Sequence, residues 1–267
     1  MEKFSAQQLN FEAFRCELRI LPQIQLKHFQ DYLDNFDRLT NEEKNNVGLH
    51  IFFDKKLDKK TRISKAISLW EKVKDSNSLL YIATAYFHLN KEDKAVEFLK
   101  ESAKAGNPDA KLRIGYCNLL GVANITPNVE KAGKIFKKLA EEKLPDAVYF
   151  LGAIFMLNED FVTPNPEKAK KLLLWSVKHG CKFALFEQGI TLVRNEKTQK
   201  IGLDLIQQAA KKQEVRAMMW LSIELAKGIL FPRDLKQSQN YFEQCCALNF
   251  KPALLAIKEA MASTNND

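Results

Sequence analysis

The side chains best able to do chemistry here are five cysteines, four histidines and 33 carboxylates, and their spacing argues against catalysis. His28, His50, His88 and His179 fall on different elements, with no His-x-x-His or Cys-x-x-Cys spacing to ligate zinc. The stretch His179-Gly180-Cys181 sets a base two residues from a thiol at an expected helix end. A Cys–His nucleophile would also need a third group to orient the base. Cys245 and Cys246 are adjacent, so on a helix their side chains diverge by about 100°, which suits packing better than redox work. No Gly-Lys-Ser/Thr and no Gly-x-Gly occurs, which removes the common phosphate and dinucleotide loops. Asn124-Ile125-Thr126 fits a glycosylation acceptor, idle without export. No enzyme activity, no cofactor and no metal are therefore expected.

Composition points the same way. The 267 residues are 46% hydrophobic and 28% charged, ordinary for a folded, soluble chain. No apolar run approaches the roughly 20 residues that span a bilayer, and the charged start "MEKFSAQQLNFEAFRCELR" is no Sec-type signal. An odd number of scattered cysteines suits reduced thiols, so a cytoplasmic location is expected, with non-Sec secretion as an effector left open. The net charge of +8 is concentrated in residues 111–213, which alone carry +7. A lysine-rich solvated face accounts for that excess. The alternative is a basic surface for nucleic acid, built on Lys134, Lys137, Lys138, Lys170, Lys171 and Lys178.

The elements that would position any site are helices in a repeat. Small residues recur at Ser78, Ala110, Ala147, Ala184 and Ala217, spaced by 32, 37, 37 and 33 residues, and a partial copy opens at Ala253. Five positions later stand Ala83, Gly115, Gly152, Gly189 and Ser222, all small again. Glycine inside a helix costs roughly 1 kcal/mol against alanine, so its recurrence reads as a close approach of helices; a hinge in each copy is the competing reading. A second helix follows in each copy, its start marked by Asn90, Asn128, Asn165, Thr198 or Asp234 as the capping residue. Gly106 and Gly180 suit helix ends. The loops "GVANITPN" and "NEDFVTPN" carry the length variation. Stacked pairs of this kind make an all-α solenoid.

These residues resemble the Sel1-like repeats, relatives of the tetratricopeptide repeats. The likeness lies in "AKLRIGYCNLLGV…EKAGKIFKKLAEE", "AVYFLGAIF…PEKAKKLLLWSVKHG" and "YIATAYF…DKAVEFLKESAKAG", while the last two copies drift at Gly202, Ser238 and Cys246. The resemblance implies a right-handed superhelix acting as an adaptor or scaffold, often in a bacterial regulator, effector or immunity-type partner. Residues 61–267 make up the array, beginning with the half-copy "SKAISLWEKVKDSN" at 64–77, and residues 1–60 an N-terminal helical cap. A separate partner-binding module is the alternative for 1–60. Three stretches there have helical spacing, with Asn41 before Glu42-Glu43 as a helix start; the tail "MASTNND" looks frayed.

One stripe of the first helices is left over once the apolar faces are assigned to packing. It runs through positions three, seven and ten after each opening residue, which share a face by i, i+4, i+7 geometry. It holds Tyr81, Arg113, Phe150, Glu187 and Trp220 at position three, Cys117, Thr191 and Glu224 at position seven, and His88 and Arg194 at position ten. In the resembling family the first helices line the concave surface, so this stripe is the expected contact for a partner protein or peptide. Phe150 and Trp220 could equally be core, and Glu187, Arg194 and Glu224 solvated.

Overall fold

The computed structural model describes residues 12–13, 29–54, 56–156 and 165–256. The expectations for 4–20, for the start of 23–39, for most of the loop 158–165, for the tail and for Cys16 and His28 lie outside them. Among the described residues every regular element is a helix and no strand occurs, which is the expected class. Two compact units divide the chain between residues 135 and 136. None of the described helices is long and apolar enough to cross a membrane.

The first unit contains α1 (Phe29–Asp34), a 3-10 turn (Phe36–Arg38), α2 (Asn41–Phe53), α3 (Lys59–Val73), α4 (Ser76–His88), α5 (Glu92–Lys104) and α6 (Pro108–Leu120). Helix α2 starts one residue earlier than its sequence suggests. Thr40, not Asn41, is the cap, because its hydroxyl accepts from Glu43 N while the Glu43 carboxylate accepts from Thr40 N. Helix α3 pairs with α2, so the half-copy has its own first helix, and the boundary drawn at residue 60 falls inside α3. Their core is Leu49, Phe52, Ile63, Ala66 and Trp70, with Ile82 and Ala85 from α4. The Trp70 indole lies where a Cβ on Gly48 would stand, and its Nε1 donates to Asn45 O at 3.2 Å. Helix α5 lacks the expected cap: Asn90 takes a left-handed φ of 57°, and the helix follows Lys91 without a side-chain hydrogen bond. Asn107 caps α6 and also donates to Ser76 O and Asn77 Oδ1, stitching α6 to the start of α4.

Helix α7 (Val129–Glu141) contains the boundary. The second unit continues with α8 (Pro145–Ile154), α9 (Pro166–Lys178), α10 (Lys182–Val193), α11 (Gln199–Lys211), α12 (Val215–Lys227), α13 (Leu235–Ala247) and a helical stretch over 251–256. Glu12 belongs to this unit and reaches Lys251 at 3.1 Å. Its core is aromatic: Phe150 meets Phe136 at 5.3 Å and Phe183 at 5.1 Å between ring centres.

The columns of small residues are buried in both units: Ser78, Ala110, Ala147, Ala184, Ala217 and Ala253 as openers, and Ala83, Gly115, Gly152, Gly189 and Ser222 five places on. A Cβ on Gly189 would stand 3.0 Å from Gly202 O, and one on Gly202 would stand 2.6 Å from Val193 N. Backbone touches backbone there, and α6, α8 and α10 run unbroken through their glycines. The contact reading holds at Gly152 and Gly189, and no helix is broken at its glycine. Where serine replaces the small pair, Ser222 and Ser238 donate to each other's carbonyl at 2.9 and 2.7 Å. Asn128, Asn165 and Asp234 cap as expected. Thr198 does not: its hydroxyl donates to Leu192 O instead, in the preceding turn.

Candidate functional site

A cleft of about 850 Å³ opens in the second unit between α8, α9 and α10. Its walls are apolar, with Tyr149 and Ala153 from α8, Leu173 and Val177 from α9, and Ala184 from α10. Two large apolar side chains at its border are open to water: Met156 is 58% exposed and Leu174 53%. Polar groups converge from Glu187, Gln188 and Thr191 on α10 and from Glu167 and Lys170 on α9. Exposed apolar side chains beside a rimmed cavity are the usual mark of a binding surface.

A buried charge network stands behind this cleft. Arg216 Nη1 donates to Glu187 at 2.6 Å, and its Nε donates to Glu214 at 2.7 Å. Glu214 is also the cap of α12, accepting from Ala217 N at 2.7 Å, and the guanidinium lies 4.9 Å from the Phe186 ring centre. Burial opposes the charge on Arg216, but Glu214 and Glu187 more than offset it and hold the guanidinium above its ordinary range. Burial, reinforced by Glu187, pushes the Tyr149 phenol up, so it stays protonated and able to donate.

The expected stripe divides by burial. Glu187 and Thr191 line the cleft, with the Thr191 hydroxyl donating back to Glu187 O. Arg194 is exposed at the end of α10. Tyr81 and Trp220 are half-buried, Tyr81 tilted against Trp70 at 5.5 Å and Trp220 edge-on to Phe231 at 6.5 Å. Phe150 and Cys117 are core side chains, His88 packs edge-on to Phe52 at 5.1 Å, and Glu224 is buried with its carboxylate 3.0 Å from Lys227. Phe150, Cys117 and His88 thus contribute packing rather than open surface, because the apolar face of the first helix is wider than the two flanks read from its pattern. Arg113 is also buried.

Arg216, Glu214 and the cleft-forming Tyr149 were not singled out by spacing. Arg216 stands one residue before an opener and Glu214 three before it, outside the stripe, and only the pairing of Glu187 with the next repeat's start could have flagged them.

The chemistry-bearing residues stay apart. His179 stacks on Trp175 at 3.6 Å with Nδ1 at Trp175 O, and burial pushes the Cys181 thiol up, away from a nucleophilic thiolate. Among the described residues no three His, Cys, Asp or Glu gather as a metal site. The six lysines of the basic middle are all exposed, the solvated arrangement.

Similarity to known proteins bears on the fold. The Sel1 repeat model matches residues 85–107, 108–144, 145–174 and 215–250. It passes over 175–214, where α10 and α11 nevertheless form a helix pair around Gly189 and Gly202. A solved Sel1 repeat protein from Oxalobacter formigenes is 18% identical, with TM-score 0.54, covering 81% of this chain and 91% of that one. The structure of c5321, described as a protective antigen of uropathogenic Escherichia coli with an SLR fold, is 21% identical with TM-score 0.52. That match covers 81% of this chain and 48% of c5321. No curated protein matched by sequence.

Proposed function

Because the chain is a Sel1-like repeat protein, we propose that it is an adaptor or scaffold that captures a partner protein or peptide on its first helices and the second helix beside them in the cleft. The cleft between α8, α9 and α10 is the principal contact. The observation that carries this reading is the pairing of Met156 and Leu174, both mostly exposed, with a cleft of about 850 Å³ that also holds Glu187 and Thr191. Anchors of interfaces are apolar side chains that lose water on docking, ringed by polar groups that fix orientation. Within the same unit the exposed Arg194 and the half-buried Trp220 are further contact candidates.

The test is substitution at the rim followed by capture of a partner identified by mass spectrometry. Met156→Lys and Leu174→Glu should each weaken capture about tenfold or more while the melting temperature stays near that of the parent. Ile201→Lys and Ile229→Lys, at exposed apolar sites away from the cleft, should leave capture unchanged. Equal loss from all four, or no loss from the rim pair, would overturn the assignment of the cleft.

A further inference from the structure

Arg113 lies mid-way along α6 and is only 4% exposed. Its Nη1 is sealed from water and makes no hydrogen bond. Among the described residues no carboxylate lies within ion-pair distance of it. Asp109, one turn earlier on the same helix, is exposed. A guanidinium cannot discharge by titration inside a protein. Among the described residues this buried cation therefore has no ion-pair partner, an arrangement that folding alone disfavours.

We propose that Arg113 is the receiving group for an acidic side chain of the partner polypeptide, and that its ion pair forms only in the complex. The inference rests on the partner-binding reading above and supplies its chemistry at a second place, in the first unit. Burial pushes the Tyr81 phenol up, and Arg113 opposes that shift. Cys117, one turn further along α6, also feels this cation.

Two features select the ligand. One guanidinium matches one carboxylate in charge and planar geometry. A chain's terminal carboxylate is usually held by free backbone N–H groups, and those around Arg113 are used within α6. An aspartate or glutamate side chain, arriving end-on, fits both. Nη1 is the only nitrogen of Arg113 both sealed and unpartnered, so the ligand approaches the other edge of the guanidinium.

The experiment uses the full chain and a defined probe, an oligoglutamate peptide acetylated and amidated at its ends and carrying a fluorophore. Anisotropy should show binding by the parent and about tenfold weaker binding by Arg113→Met at equal ionic strength. Without peptide, Arg113→Met should melt at a higher temperature than the parent, since an unpaired buried charge is gone; a structural arginine would give the opposite shift. Oligoglutamate should raise the melting temperature of the parent and not that of the variant. No binding by the parent, equal binding by both, a lower melting temperature for Arg113→Met, or protection by inorganic phosphate in place of the peptide would each overturn the proposal. The outcome is separable from that of the cleft, because Met156→Lys and Leu174→Glu report on partner capture and Arg113→Met on a peptide of known composition.

Discussion

Arg113 and Arg216 are equally buried, each 4% exposed, and their surroundings are opposite. In the second unit Arg216 receives Glu187 from the preceding repeat and Glu214 from the cap of its own helix, at 2.6 and 2.7 Å. In the first unit the cap of α6 is Asn107, which satisfies Ala110 N without bringing a charge. The two caps perform the same local task; only Glu214 also neutralises a neighbour. Burial of a cation and its compensation are thus separate features. One arginine is part of the structure's own bonding, and the other is left for something outside it.

The largest effect is expected from removing Arg216. Arg216→Met strands the almost fully buried Glu214 and should destabilise the chain by about 3–5 kcal/mol in urea unfolding. Arg113→Met should act in the other direction, stabilising by about 1–2 kcal/mol, since it removes a desolvated charge and leaves no orphan. If both variants lose stability alike, the contrast between the two sites fails.

Cys117 sharpens the contrast further. Burial pushes its thiol up to about 12, with Arg113 pulling down against it. The unfolded thiol titrates near 9, so between about pH 9 and 12 the folded state binds the extra proton and stability falls as pH rises. Each such group contributes a slope of up to about 1.4 kcal/mol per pH unit in that window. Cys117→Ala should flatten that slope, as read from unfolding at pH 8, 9.5 and 10.5. Arg113→Met should slow alkylation of Cys117 at fixed alkaline pH, because the nearby cation that favours the thiolate is gone. The smallest effect is expected at Glu187→Gln. Its carboxylate is about half exposed and screened by solvent, so the loss should stay below about 1 kcal/mol in the same unfolding assay.

Much of the scaffold was legible because its determinants are local. A small residue every 32 to 37 positions, with another five places later, marks where helices must touch, and Gly189 and Gly202 show that touch backbone to backbone. Asn128, Asn165 and Asp234 announce helix starts because their side chains reach only their own first turn. Thr198 and Asn90 misled because other local bonds compete for the same residues: a hydroxyl turned back to Leu192 O in one case, a left-handed backbone in the other. The stripe was legible as a face but not as a surface. Its members share one side of each first helix, yet Phe150 and Cys117 pack inside while Thr191 and Arg194 reach water.

What the sequence determined alone is therefore the helical repeat, since periodicity and side-chain size act within a few residues of each other. What tertiary structure decided is which polar groups meet across repeats. Glu187 and Arg216 are 29 residues apart and adjacent in space, whereas among the described residues Arg113 has no such match. Electrostatic compensation depends on distances of a few ångströms between side chains from different elements, and no spacing rule along one chain encodes that.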